Sequence, residues 1–452
     1  MFCHCLCVIV VNIVSVNNVL EILSLRNNLS KLVKEITNRK LYCQLLLNHV
    51  HHKKRFAVNV RTFTEQTWTQ NLEFLQPEKN PTIPTYRVMD VHGNILDPKQ
   101  EPKLEDSFLV DLYKAMVKLS VTEKILYESQ RQGRISFYMT SFGEEATQFG
   151  SAAALSNKDL VYAQYRETGV LLWRGFTIEN IIDQCYGNDN DVAKGKQMPL
   201  HYGSKALHFV TISSPLATQM PQAVGSAYAL KRAKESQCVA VYFGEGAASE
   251  GDAHAAFNFA AVLQAPIIFF CRNNGYAIST PAYEQYSGDG IASKGVGYGI
   301  ATIRVDGNDI LAVYNATKAA REYSLSDSRP TLIEAMTYRV GHHSTSDDSS
   351  AYRTEEEVKH WQEQNNPIYR FRKYLDGKQL WDNALQKDYE KQIRSEVMGA
   401  LKKGEKTKKP AWIEMFKDVY SKAPSSLEKQ KKYLTQHIQK FAEHYPLNSF
   451  KE

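Results

Sequence analysis

The chain has 452 residues, 43% hydrophobic, 23% charged and 11% aromatic, with a net charge of +6. The apolar share suffices for a buried core, which excludes disorder throughout, and a mean hydropathy of −0.42 without an apolar run of about 18 residues gives no membrane-spanning helix. The basic excess, 55 Lys and Arg against 49 Asp and Glu, is too mild and too spread to point to nucleic acid.

Residues 1–68 differ from the rest. They hold nine Lys or Arg and three acidic residues, Glu21, Glu35 and Glu65. An acid-poor basic leader fits a mitochondrial presequence, although four arginines are few for one. The run Cys5–Val16 has the apolarity of a secretory segment but lacks the basic stretch that should precede it. An untranslated extension is the third reading. Cys3, Cys5 and Cys7 crowd this leader. Cys43, Cys185, Cys238 and Cys271 are scattered without zinc spacing, and a reducing compartment suits them.

Residues 69–130 read as an extended, proline-containing arm followed by a helix over 105–132, where Phe108, Leu109, Leu112, Ala115, Met116 and Leu119 recur at three- and four-residue steps. From 131 to 354, short apolar runs alternate with helical stretches: 238–243, 265–271, 301–307 and 331–339. Nearly continuous apolar β-formers suit strands buried on both faces of a parallel sheet, so a doubly wound α/β fold flanked by helices is expected. Residues 341–354 are a polar loop. Thr354 with Glu357 has the pattern of a capping box opening a helix, and Pro367 suits the start of another. Residues 355–452 read as a helical C-terminal extension for packing or assembly.

The segment 238–278 carries the chemistry. One strand ends in Gly244-Glu245-Gly246, a helix follows, and a second strand ends in Arg272-Asn273-Asn274-Gly275-Tyr276. A βαβ crossover makes the two strands parallel, so Glu245 and Asn274 should meet at one mouth of the sheet. A carboxylate, an amide oxygen and a backbone carbonyl are hard oxygen ligands for Mg²⁺. The two glycines admit a diphosphate to the backbone, and Arg272 adds a cationic fork. Gly-x-Gly alone is a weak signal, as is Asn-Asn. With 26 residues between them, filled by a helix and a strand, the pair is much stronger.

That spacing is similar to the thiamine diphosphate signature, with Glu245 where aspartate is usual. Arg131–Ile135, Gly143–Ala146, Gln164–Glu167, Gly195–Tyr202 and Gly341–Asp348 further resemble the E1 α subunits of 2-oxo acid dehydrogenase complexes. Asp347-Asp348 before Ser-Ser-Ala-Tyr-Arg, and Glu443–Leu447, resemble the branched-chain members more than the pyruvate members. The likeness covers roughly residues 70–450.

The resemblance implies thiamine diphosphate, Mg²⁺ and K⁺ as cofactors. Glu245, Asn274 and the Tyr276 carbonyl would hold Mg²⁺. Gln164, Tyr165, Arg166, Gly244, Gly246, Ala247, Arg272 and His343 would hold the diphosphate side. Ser214 and Leu216 would stand near the rings, and Ser213, Pro215, Thr218 and Gln219 would hold K⁺. His343, Tyr165, Arg166 and Ser214 would serve catalysis. Ser344 matches an inhibitory phosphorylation position, and Thr354 a second. The implied activity is oxidative decarboxylation of branched-chain 2-oxo acids, with the acyl group passed to a lipoyl arm of E2.

Expected partners are a β subunit in an α₂β₂ assembly, the E2 core, and a kinase and phosphatase, in the mitochondrial matrix. The β subunit is expected because the chain has one such α/β domain and no room for the second, which would supply a glutamate to the aminopyrimidine. Two other readings stand beside this one: a pyruvate dehydrogenase E1 α subunit and a non-catalytic regulatory paralogue. Retention of Glu245, Asn274, Arg166, Arg272 and His343 together argues against the paralogue. No phosphate-binding Gly-x-x-x-x-Gly-Lys motif is present, and Gly295–Gly299 is a poor dinucleotide fingerprint.

Overall fold

The computed structural model describes residues 68–452. The expected leader, with its cysteine cluster, therefore lies outside the described residues but for Trp68. Two units are distinguished. The first is Met1–Leu75, and its described part, 68–75, has no helix or strand. The second, Gln76–Glu452, carries every element named below.

Among the described residues eight strands occur: β1 (Thr85–Tyr86), β2 (Leu160–Tyr162), β3 (Val239–Gly244), β4 (Ile267–Asn273), β5 (Tyr276–Ala277), β6 (Thr280–Pro281), β7 (Ala301–Asp306) and β8 (Thr331–Met336). The helices are α1 (Asp106–Arg131), α2 (Glu145–Ala154), α3 (Thr168–Trp173), α4 (Ile178–Tyr186), α5 (Gln219–Ala233), α6 (Gly251–Leu263), α7 (Ala282–Gln285), α8 (Ala292–Gly297) and α9 (Ile310–Asp327). After them come α10 (Glu355–Gln364), α11 (Pro367–Gly377), α12 (Asn383–Lys406) and α13 (Ser425–Lys440).

Six strands form one sheet in the order β1-β7-β8-β4-β3-β2, and every pairing in it is parallel. The period-2 side-chain alternation sorts the strand residues into two cores. Ala240, Tyr242, Ile268, Phe270, Ile333 and Ala335 face one core, shared with α1, α2, α4, α9 and α12. Val239, Val241, Phe243, Ile267, Phe269, Cys271 and Leu332 face the other, covered by α5 and α6. Burial on both faces explains why these strands are apolar almost without interruption, as the α/β expectation required. On the second face Phe257 of α6 meets Phe269 edge to face at 4.9 Å. Such an aromatic pair adds about 0.5–1.5 kcal/mol beyond its buried area.

Register decides where the chemistry lands. Gly244 pairs with Arg272, and Arg272 with Ala335. β3, β4 and β8 therefore end at the same level, and the residues that follow share one edge. The expected helix over 105–132 is α1. The expected strands are present with ends shifted by at most three residues, and Pro367 opens α11 with Asn366 as its cap. The capping box at α10 is half formed: Thr354 Oγ1 accepts the Glu357 N–H at 3.2 Å. The Glu357 carboxylate instead accepts the hydroxyls of Tyr276 and Tyr338, each at 2.8 Å.

Candidate active site

At the carboxyl edge of the sheet lies a cavity of about 210 Å³. The turn after β3 supplies Glu245, Gly246 and Ala247, and the end of β4 supplies Arg272 and Asn274. Gln164, Tyr165 and Arg166 follow β2, Leu216 precedes α5, and Arg339 and His343 follow β8. The β5–β6 hairpin, with Tyr276, Ala277 and Ile278, closes one side. Between Gly246 and α6 stands a 3-10 turn, Ala247–Ser249, so the helix proper starts at Gly251. In that turn Ala248 and Ser249 already give their N–H groups to the carbonyls of Glu245 and Gly246, at 3.2 and 3.1 Å. A Cβ on Gly246 would lie 2.7 Å from that of Ala277, so the turn and the hairpin approach closely only with glycine there.

Glu245 is 1% exposed, and burial pushes its carboxyl up to about 8. Its Oε1 is buried without any hydrogen-bond partner. A lone buried carboxylate oxygen is costly unless a proton or a metal ion meets it. Beside it, Asn274 donates Nδ2 to Glu144 Oε1 at 2.9 Å, and its Oδ1 accepts the Tyr276 N–H at 3.2 Å. An orphaned carboxylate next to an amide oxygen is a fitting donor set for a hard divalent cation.

Three arginines are fixed around this core. Arg272 gives Nη1 to Glu144 at 2.6 Å and Nε to Glu167 at 2.5 Å, all three side chains being buried. Glu144 is raised by burial, but Arg272 and Arg166 outweigh that and hold its carboxyl below the usual range. Arg166 gives Nη1 to the Thr140 carbonyl, while Nη2 reaches both the carbonyl and Nδ1 of His343. Arg339 donates to the Ile278 carbonyl at 2.7 Å and to the Tyr352 hydroxyl at 2.8 Å. Burial, then Arg166 and Arg339, push His343 down to about 3, so the ring is neutral near pH 7.

Of the residues expected from the sequence, Gln164, Tyr165, Arg166, Leu216, Gly244, Glu245, Gly246, Ala247, Arg272, Asn274, Tyr276 and His343 all line the cavity. Ser213, Ser214, Pro215, Thr218 and Gln219 do not; they form the adjacent turn into α5. In it Thr218 Oγ1 donates to the Pro215 carbonyl at 3.1 Å and lies 3.4 Å from Ser213 Oγ. Gln219 gives its amide N–H to the Tyr242 carbonyl, leaving Oε1 as an acceptor. This is a small set of neutral oxygens. Ser214 Oγ lies 2.7 Å from His201 Nε2, and His201 Nδ1 lies 3.1 Å from the Pro199 carbonyl. A carbonyl only accepts, so Nδ1 carries the proton, and Ser214 donates to Nε2.

Sequence reasoning assigned no role to Glu144, Glu167, His201, Glu250 or Arg339, and gave Glu357 only a helix-capping one. Glu144, Glu167 and His201 sit inside segments already singled out, and a carboxylate or imidazole beside a motif arginine or serine was the signal available.

An all-parallel sheet with a buried carboxylate and arginines lining a cavity at its carboxyl edge is the arrangement of an α/β enzyme suited to a metal ion and an anion. The chain matches the family described as dehydrogenase E1 component over residues 113–413 and belongs to it. That family depends on thiamine diphosphate, and its α subunits work with a β subunit. The chain is 60% identical to the human protein named 2-oxoisovalerate dehydrogenase subunit alpha, mitochondrial, over 84% of this chain and 85% of that protein. The Caenorhabditis elegans protein of the same name is 56% identical, over 84% and 88%. That of Dictyostelium discoideum is 51% identical, over 93% and 97%.

Proposed function

We propose that this chain is the α subunit of a branched-chain 2-oxo acid dehydrogenase E1 component. With a β subunit it decarboxylates 2-oxo acids such as 3-methyl-2-oxobutanoate oxidatively and passes the acyl group to the lipoyl arm of E2. The observation that carries the reading is the unpartnered Glu245 oxygen, on a residue that lines one cavity together with Asn274, Arg166 and His343. The names of the relatives support the branched-chain substrate, and their mitochondrial designation supports the matrix as its site.

In this reading Glu245, Asn274 Oδ1 and the Tyr276 carbonyl hold Mg²⁺. Gln164, Tyr165, Arg166, Gly244, Gly246, Ala247, Arg272 and His343 surround the diphosphate. Arg272 serves through the edge that Glu144 and Glu167 leave open. Ser214 and Leu216 flank the rings, and the turn 213–219 holds K⁺ through Ser213, Pro215, Thr218 and Gln219. Thiamine diphosphate, when bound, supplies the carbon nucleophile and the electron sink. Arg166 and Arg339 keep Nδ1 of His343 an acceptor, so its Nε2–H is the donor presented to phosphate or substrate oxygen. The glutamate for the aminopyrimidine comes from the β chain of an α₂β₂ assembly.

Ser344 is the regulatory phosphorylation position, with Thr354 as a second, served by a kinase and a phosphatase. Residues 131–354 form the cofactor domain, following in sequence the leader 1–68 and the arm and helix 69–130, and 355–452 form the assembly extension. The test is decarboxylation of 3-methyl-2-oxobutanoate against pyruvate by the chain co-expressed with a β chain, with and without Mg²⁺ and thiamine diphosphate. Cofactor-dependent preference for the branched acid is expected. Preference for pyruvate would give a pyruvate E1 α subunit, and cofactor binding without turnover of either acid a non-catalytic paralogue.

A further inference from the structure

Glu144 does not line the cavity, yet it is 0% exposed and joins two residues that do, Arg272 and Asn274. It caps the start of α2, where its own N–H is held by the Ser141 carbonyl at 2.9 Å. One carboxylate oxygen takes Arg272 Nη1 at 2.6 Å and the other takes Asn274 Nδ2 at 2.9 Å. We propose that Glu144 is a positioning residue that sets which end of the Asn274 amide faces the metal. The inference rests on the functional reading above and deepens it.

The argument is one of hydrogen-bond polarity. An amide has a donor end and an acceptor end of nearly the same shape, so packing alone does not choose between them. A carboxylate only accepts. Glu144 therefore draws the NH₂ of Asn274 toward itself and turns Oδ1 toward Tyr276, which lines the cavity with it. Rotating the amide by half a turn would set oxygen against oxygen in a buried place and aim the NH₂ donors at the cation.

Glu144→Gln keeps the shape and reverses one polarity. The glutamine oxygen must face Arg272 Nη1, which only donates, so its NH₂ meets Asn274. The Asn274 amide then turns, and nitrogen replaces oxygen at the metal. Asn274→Asp in that background removes the conflict, since a carboxylate offers an oxygen to both sides. Alone, Asn274→Asp opposes two carboxylates.

The test is Mn²⁺ titration by electron paramagnetic resonance, at saturating thiamine diphosphate, on the chain assembled with its β partner. Glu144→Gln is expected to weaken Mn²⁺ binding by about 10–100-fold, the range for groups that orient metal ligands. The double variant Glu144→Gln/Asn274→Asp is expected to bind Mn²⁺ more tightly than either single variant. A merely structural role for Glu144 would make the two changes add. Wild-type affinity in Glu144→Gln overturns the inference. So does a double variant no better than Asn274→Asp, a comparison that holds even where Glu144→Gln fails to assemble. Absence of a thiamine diphosphate-dependent Mn²⁺ site in the wild type overturns the functional reading and this inference with it. A wild-type site indifferent to the substitutions overturns this inference alone.

Discussion

Arg166 holds His343 from two directions: Nη2 stands 3.2 Å from the ring Nδ1 and also donates to the histidine's own carbonyl oxygen. Arg339 Nη1 adds a third contact, 3.4 Å from the same Nδ1. A guanidinium has no acceptor, so both arginines make Nδ1 the acceptor and leave the proton on Nε2. Protonating Nδ1 would turn these contacts repulsive.

A pH dependence follows. His343 is held near 3 in the folded chain, against an ordinary value of about 6.5 when unfolded. Between those values the unfolded state binds the extra proton and the folded state does not. Stability from this residue is thus present above about 6.5 and is lost as pH falls toward 3, by at most about 1.4 kcal/mol per pH unit. His343→Asn has no such proton to bind. Thermal unfolding of both assemblies from pH 7 to 5 should show the wild type losing ground to the variant. Parallel curves would mean that the ring titrates in the folded enzyme.

The polar loop 341–354 is ordered by many hydrogen bonds, among them those of Asp347, Arg353 and His342. Asp347 Oδ2 accepts the His343 N–H at 2.7 Å and the Tyr352 hydroxyl at 2.6 Å. Ser344 is buried between them in sequence, its Oγ accepting the Ser346 N–H at 3.2 Å. Phosphate there adds about −1.5 to −2 charge beside Asp347 in a place without room for it. Ser344→Glu should cut decarboxylation by more than about tenfold, or about 1.4 kcal/mol. It should also expose the loop to protease, while Ser344→Ala leaves the loop protected. A fully active Ser344→Glu enzyme would remove the loop from regulation.

The sheet, the long first helix and the Glu245–Asn274 pair were legible because each is written in contiguous residues: apolar runs, helical steps, and a turn spaced 26 residues from another. Glu144 and Glu357 were not. Glu144 acts on a residue 130 positions away, and Glu357 on one 81 positions away. The Thr354–Glu357 spacing even favoured a local role, which the two tyrosine hydroxyls overrode by offering donors at the hairpin and the end of β8. The turn 213–219 was located in sequence, but its place beside the cavity depends on how α5 docks.

Beneath the site, Glu334 of β8 is 0% exposed and ties three segments together. It accepts Asn273 Nδ2 at 2.8 Å, the N–H groups of Ile291 and Ala292 at 2.7 and 2.9 Å, and Arg304 Nε at 3.0 Å. Glu334→Ala leaves Arg304 Nε, Asn273 Nδ2 and two backbone donors without this acceptor, while Arg304 keeps Asp289 at 2.8 Å. Breaking such a pair from one side costs about 3–5 kcal/mol. Denaturant unfolding of the assembly should show a loss of that order. A loss below about 1 kcal/mol would mean that water enters and replaces the carboxylate.

The segment that carries Glu144 is itself pinned by Gly143. Its φ of +91° suits glycine, and a Cβ there would lie 2.2 Å from the Tyr338 carbonyl oxygen. Neighbouring bonds hold the two strips together: Thr337 Oγ1 donates to the Gly143 carbonyl at 3.0 Å and Val340 N–H to that of Phe142 at 2.9 Å. Gly143→Ala must push them apart, and Glu144 moves with its strip. The expected result is a loss of about 1–3 kcal/mol from the strained backbone, accompanied by weaker Mn²⁺ binding. Gly251→Ala is the control, since nothing lies within 4 Å of its added methyl and alanine suits a helix better. It should leave stability and Mn²⁺ affinity at or above wild type. If Gly143→Ala lost stability but kept full Mn²⁺ affinity, the path from this turn through Glu144 to Asn274 would be broken, and the turn would serve packing alone.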